Sequence, residues 1–121
     1  MSADSNAELC PLYHRAVELI GRRWTGAIIF VLLKGRQRYT DLRSAIPEIT
    51  DRMLSERLKE LEQEGIVERH VIPHTPVRVE YALTPQGEAL ARPIDALMAW
   101  AHEWTSAADD QGGGAQQDPT R

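Results

Sequence analysis

The sequence predicts a mainly α-helical chain that carries one small β-hairpin, an α+β arrangement, and three features carry that expectation. Up to residue 65 the apolar residues recur at the three- and four-residue spacing of helix faces, interrupted at Gly21, Gly35 and Pro47. Between residues 66 and 83 the period drops to two, the spacing of a half-buried strand. From Thr84 onward the helical spacing returns. With 121 residues, 42% apolar and 6% aromatic, there is material for one core. Residues 1–9 read as a flexible leader, 10–108 as the domain, and 109–121, polar and glycine-rich, as a disordered tail.

Cys10-Pro11 opens the first helix, because proline lacks an N–H that a first turn would leave unpaired anyway. Leu12, Ala16, Leu19 and Ile20 make its apolar face, and Gly21 ends it. A second helix, from about Trp24 to Leu33, is apolar nearly all round, which places it at the centre of the core. Lys34-Gly35 closes it. A short helix in YTDLRSAI turns Leu42, Ala45 and Ile46 inward and breaks at Pro47. Thr50 is a natural N-cap for the next helix, since its hydroxyl can accept a free N–H of the first turn. Leu54, Leu58 and Leu61 form the inward stripe of that helix, Arg57 lies toward the core side, and Arg52, Ser55, Glu56, Lys59 and Gln63 lie on or beside the outward face, up to Gly65. Val77, Val79, Tyr81 and Leu83 then alternate with Arg78, Glu80 and Ala82 in a strand whose less regular partner is IVERHVI. Pro73 and Pro76 keep to the connection, where their missing donors do little harm. Thr84-Pro85 starts a last helix, bent early by Pro93 and running to about Ala107.

Composition narrows the partners. The opening MSADSNAELC lacks the basic start and apolar run of a secretory signal, and the longest apolar run, AIIFVLL, is far short of the roughly 20 residues that span a bilayer. One cysteine excludes a disulfide framework within the chain and suits a reducing cytoplasm. Net charge is −4 and the pI about 5.5, which alone argues against a nucleic-acid binder. The charges are segregated, however. Residues 15–43 hold seven basic against two acidic side chains, a local +5, while residues 84–121 hold two against six, a local −4. A phosphate feels only the charges within about a Debye length, roughly 8 Å at physiological salt.

A helix pair joined by a short turn and followed by a two-stranded hairpin is the order of a winged helix-turn-helix. In that fold the second helix enters the major groove of duplex DNA, and the hairpin, or wing, tracks the backbone or minor groove. Winged-helix modules that bind partner proteins share this order, and the acidic pI fits them as well.

Several motifs also resemble one family: CP at 10–11, IGRRW at 20–24, RYTDLRSAIPEIT at 38–50, ML..RLKELEQEGIVER at 53–69, PVRVEYALTPQG at 76–87 and Trp104. Together they resemble the HxlR-type transcriptional regulators of bacteria, a branch near the MarR-like winged-helix proteins, over roughly residues 10–104. Arg23 stands where many members carry lysine, a change that keeps the charge. The resemblance implies a homodimeric DNA-binding repressor or activator.

On that fold the candidate DNA contacts are Thr50, Asp51, Arg52, Ser55, Glu56 and Lys59 of the recognition helix, His74, Thr75 and Arg78 of the wing, and Arg36 and Arg38 ahead of the short helix. Arginine can pair with a guanine edge through two hydrogen bonds. Each group has a plainer reading: a solvated helix face, a polar hairpin tip with Arg78 paired to Glu80, and a solvated basic loop. Cys10 stands at the positive end of the first helix dipole, which favours a thiolate. The resemblance makes it a candidate sensor of oxidants or electrophiles, by a bridge between two subunits or by an adduct. It can equally be a small side chain without that role. Leu12 of the first helix and Leu90, Ile94, Leu97, Met98, Ala101 and Trp104 of the last form the candidate dimer interface, where a small apolar effector could also act. The four histidines are far apart without metal-ligand spacing, and no P-loop, dinucleotide fingerprint or nucleophile elbow occurs, so neither a cofactor nor catalysis is expected.

Overall fold

The computed structural model describes residues 9–112. In order, these form α1 (Pro11–Ile20), α2 (Thr25–Leu32), β1 (Gln37–Arg38), α3 (Tyr39–Ala45), α4 (Asp51–Gln63), β2 (Val67–Ile72), β3 (Arg78–Leu83), α5 (Pro85–Glu88) and α6 (Ala91–Gly112). The chain divides into two compact units that part between Glu88 and Ala89. The first holds α1–α5 and the sheet; the second contains α6.

The core of the first unit follows the expected stripes. Ile28, Ile29 and Leu32 of α2, Leu42 of α3 and Leu54, Leu58 and Leu61 of α4 are all but sealed from solvent. Removing such side chains from water supplies the main driving force, about 25 cal/mol per Å² of apolar surface. Ile66, Val67, Tyr81 and Leu83 complete the core from the sheet. The strands run antiparallel in the order β1-β3-β2. Val67 pairs with Leu83 and Gln37 with Tyr81 on the core-facing side, while Glu80 lies between His70 and Arg38 on the other side.

Gly65 ends α4 with φ +79°, a left-handed conformation that only glycine takes freely. Its N–H donates to the Glu62 carbonyl at 3.1 Å and that of Ile66 to the Leu61 carbonyl at 2.9 Å, which closes the helix and turns the chain into β2.

Five expectations need correction. The wing is part of a three-stranded sheet, because β1 pairs its backbone with β3 at Arg38 and Gln37; two residues are too few to show a period. Strand β3 begins at Arg78, so Val77, expected inside, is 64% exposed beside Pro76, which has no N–H to extend the ladder. Ala45 is exposed, and the inward anchors after Leu42 are Ile46 and Ile49. The last helix is split into α5 and α6. Pro93 can neither donate to the carbonyl of Ala89 nor avoid its ring clashing there, so the helix restarts at Ala91 with Pro93 in its first turn. Finally, α6 continues to Gly112, past the expected end near Ala107. The leader up to residue 8 and the tail from residue 113 lie outside the described residues.

Candidate nucleic-acid interface

Helix α4 is built to bury one face and offer the other. Thr50 caps it, its Oγ1 accepting the Met53 N–H at 3.1 Å. With the three leucines inward, Arg52, Ser55, Glu56 and Lys59 all face solvent. The Arg52 side chain is 87% exposed, its Nε 3.3 Å from Glu56 Oε2, an exposed pair of little strength.

Asp51 is engaged from within the chain. Arg43 Nε donates to its Oδ1 at 2.7 Å, and the Tyr39 hydroxyl lies 3.2 Å from the same oxygen. The Arg43 guanidinium above all, with help from Tyr39, holds the Asp51 carboxyl below its usual range. The Tyr39 hydroxyl is also 3.0 Å from the Asp51 carbonyl oxygen and 3.2 Å from Ser55 Oγ. It thereby ties the start of α3 to the first turn of α4. Nothing in the spacing of the sequence singles out Tyr39.

The far half of α4 is tied to the turn between α1 and α2. Arg57 is 9% exposed. Its Nε donates to the Arg23 carbonyl at 2.9 Å, and its Nη1 to both Glu60 carboxylate oxygens at 3.2 and 3.3 Å. A buried guanidinium needs such partners, since an unpaired buried charge is strongly destabilising. Glu60 in turn meets Arg22 Nε at 3.2 Å, and Arg15 reaches Glu64 at 3.4 Å. The next residue, Trp24, holds φ +77°, uncommon for any residue but glycine, with the Arg23 guanidinium 4.8 Å over its ring.

On the wing, His74 and Thr75 are exposed and Arg78 is half-buried. Glu80 links two of the candidate arginines: Arg36 Nη1 is 3.5 Å from its Oε1 and Arg78 Nη1 3.6 Å from its Oε2. Arg38 lies 4.0 Å from Asp41, which also accepts the Arg38 backbone N–H at 3.0 Å. Arg38, Tyr39 and Thr40 on one side and His74, Pro76, Val77, Arg78 and Val79 on the other enclose an open cleft of about 420 Å³. The fold thus brings together two sets of candidates that are almost forty residues apart in the chain.

Cys10 is an exposed free thiol at the N-cap of α1, followed by Pro11 at the first helical position. Leu12, on that helix, is 78% exposed. In the second unit the stripe divides lengthwise. Leu90, Ile94, Met98 and Ala101 are half-buried, whereas Leu97, Trp100 and Trp104 are 59%, 59% and 60% exposed. Among the described residues no cluster of His, Cys, Asp and Glu converges as for a metal ion, and no helix is long and apolar enough to cross a membrane.

Residues 19–109 match the family model of the HxlR-like helix-turn-helix. The chain belongs to the HxlR-like family. The uncharacterized HTH-type transcriptional regulator YvaP of Bacillus subtilis is 49% identical over 100 residues, 83% of this chain and 93% of its own. The HTH-type transcriptional regulator YodB of the same organism is 46% identical over 101 residues, 84% of this chain and 90% of its own. The reduced and quinone-bound structures of YodB match with TM-scores of 0.74 and 0.71 at 47% and 44% identity, covering 80% and 79% of this chain and 95% and 100% of theirs. The redox regulator HypR in its oxidized form matches with a TM-score of 0.72 at 35% identity, over 78% of this chain and 96% of its own. This HxlR-like protein is therefore a DNA-binding transcriptional regulator with a MarR-like winged-helix fold, and not an enzyme.

Proposed function

We propose that this HxlR-like regulator acts in the cytoplasm as a homodimer that represses transcription by occupying a pseudo-palindromic operator. One observation carries the reading: α4 seals its leucines inside and leaves the polar face that begins at Thr50 to solvent, with the Arg52 side chain 87% exposed. Residues near the start of a recognition helix reach base edges best. Arg52, Ser55 and Glu56 are thus the base-reading set, with Thr50 and Lys59 flanking, and Asp51 orients the turn through Arg43 and Tyr39. Arg36, Arg38, His74, Thr75 and Arg78 form the backbone-facing set. The bare faces of α1 and of α6 each pack on the partner copy, because exposed apolar patches of this kind mark interfaces. Two recognition helices then meet half-sites about one DNA turn apart, ~34 Å.

The signal acts through Cys10. It is exposed, and the similar regulators YodB and HypR have been solved in reduced, quinone-bound and oxidized forms. With one cysteine per chain, an oxidant such as diamide takes two electrons and two protons from the Cys10 thiols of two subunits and leaves one disulfide between them. A quinone instead adds to a single thiolate. Either product shifts the dimer between arrangements only as far as it prefers one of them.

A mobility-shift titration with operator DNA tests the reading. Arg52→Ala and Arg78→Ala should weaken binding with circular dichroism and dimer mass unchanged. Wild-type binding by both variants removes the interface. Diamide or quinone should release wild type from operator and leave Cys10→Ser bound; equal responses remove the sensor. A monomer by light scattering at micromolar concentration removes the dimer.

A further inference from the structure

We propose that the cleft between the wing and the start of α3 seats one phosphodiester of the DNA backbone, and that Tyr39 sets the distance from that seat to the base-reading turn of α4. The proposal rests on the DNA-binding reading and adds a defined ligand site and a positioning residue to it.

The lining selects the ligand class. Arg38 comes from the end of β1 and Arg78 from the first position of β3, with His74 on the wing and Thr40 also in the lining. Guanidinium forks match the paired oxygens of a phosphate in shape as well as in charge. The surrounding charges are Arg36, Arg38 and Arg78 against Asp41 and Glu80, positive by one. Their ion pairs are long, 3.5 to 4.0 Å, and the arginine side chains are about half exposed, so they hold the guanidiniums in place weakly. An incoming oxyanion can replace the half-exposed Asp41 at Arg38 without stranding a buried charge. Glu80, whose side chain is 17% exposed, keeps its place between Arg36 and Arg78 and leaves the open side of the Arg78 guanidinium to the ligand. At about 420 Å³ the space exceeds a lone anion and accepts a phosphate with part of its deoxyribose, for which exposed Val77 offers an apolar rim.

Tyr39 joins this seat to the reading head. Tyr39 lines the cleft, and its hydroxyl reaches the Asp51 carbonyl oxygen and Ser55 Oγ in the opening turns of α4. Phosphate contacts fix register and base contacts read sequence. Here the two are separated by one aromatic ring with two torsions, so a phosphate held in the cleft fixes where Arg52 falls along the groove.

Salt dependence of affinity is the test, measured with the full-length protein on operator and on random duplex. Each neutralised phosphate contributes a slope of about 0.9 in log K against log salt. If Arg38 and Arg78 share one phosphate, the Arg38→Gln, Arg78→Gln double variant loses about 0.9 from the slope. A loss of about 1.8 means two separate phosphates and overturns the shared seat, and an unchanged slope overturns any seat. Should the double variant misfold, Arg38→Gln alone, at a half-exposed position, must still weaken operator and random duplex by the same factor, and unaltered affinity for both overturns the seat. Tyr39→Phe keeps the ring and removes the hydroxyl. It should leave the slope intact and lower the operator-to-random affinity ratio several-fold; an intact ratio overturns the role of Tyr39. Inorganic phosphate titrated without DNA, followed by the amide resonance of Thr40, separates the sources. Saturable binding at submillimolar phosphate that leaves the DNA slope unaffected makes the cleft a free-anion site and overturns the backbone seat. If wild type binds no duplex even at low salt, the DNA-binding reading itself fails; a salt-sensitive wild type with unaffected variants removes the seat alone.

Discussion

Helices α4 and α6 carry apolar stripes of the same spacing and meet opposite fates. Leu54, Leu58 and Leu61 are sealed inside their own unit, while Leu97, Trp100 and Trp104 stand well over half exposed. A stripe states that a face wants cover; it does not name the cover. For α4 the cover lies within its own unit, where β2 packs against it, and the opposite polar face is left to solvent. For α6 the edge through Leu90, Ile94, Met98 and Ala101 is half-buried and the other edge is bare, the state of a face awaiting a second chain in the proposed homodimer.

The largest expected effect tests the sealed stripe. Leu58→Ala should destabilise the fold by about 2–5 kcal/mol in denaturant titrations, the range for a truncated core leucine, and by the same amount at every protein concentration. The bare stripe should respond differently. Trp104→Ala should weaken dimerisation by about 2 kcal/mol, about 30-fold in the dimer dissociation constant, read by light scattering over a dilution series with far-UV circular dichroism unchanged. A concentration-independent loss of structure there would erase the distinction between the two helices. A smaller change probes the border between the faces of α4. Thr50→Ala removes the 3.1 Å cap to the Met53 N–H and should lower stability by about 1 kcal/mol in thermal melts.

The smallest effect is a pH dependence. The folded pKa of Asp51 lies below its ordinary 3.8, chiefly through the Arg43 hydrogen bond. The stabilisation it brings is therefore fully present above pH 3.8 and fades as pH falls through the lower folded value. Asp51→Asn should flatten that acid limb in stability measurements between neutral and strongly acidic pH, with a minor change at neutrality because the side chain is exposed. An unaltered limb would mean that Arg43 and Tyr39 do not hold the turn.

Much of this was legible along the chain. The buried leucines, the Thr50 cap, the Gly65 stop and the inward lean of Arg57 all follow from local rules. Strand β1 was not, since Gln37 and Arg38 become a strand only because β3 offers them hydrogen-bond partners. The partner of Arg57, a backbone carbonyl thirty-four residues away at Arg23, has no signal in side-chain identity. The cleft was half visible: Arg38, His74 and Arg78 stood out as basic or wing residues, but Tyr39 and Thr40 gained meaning only once the wing lay across from them.

Spacing, caps and breakers therefore specify which segments are helices, which of their faces are apolar, and the order of elements that makes a winged helix-turn-helix, because those properties depend on neighbours within a turn or two. The pairing of Arg38 with Glu80 across strands, the clasp of Tyr39 and Arg43 on Asp51, and the basic cleft depend on residues far apart in the chain. Such contacts exist only after the backbone has closed its long loops, so no reading of local pattern contains them.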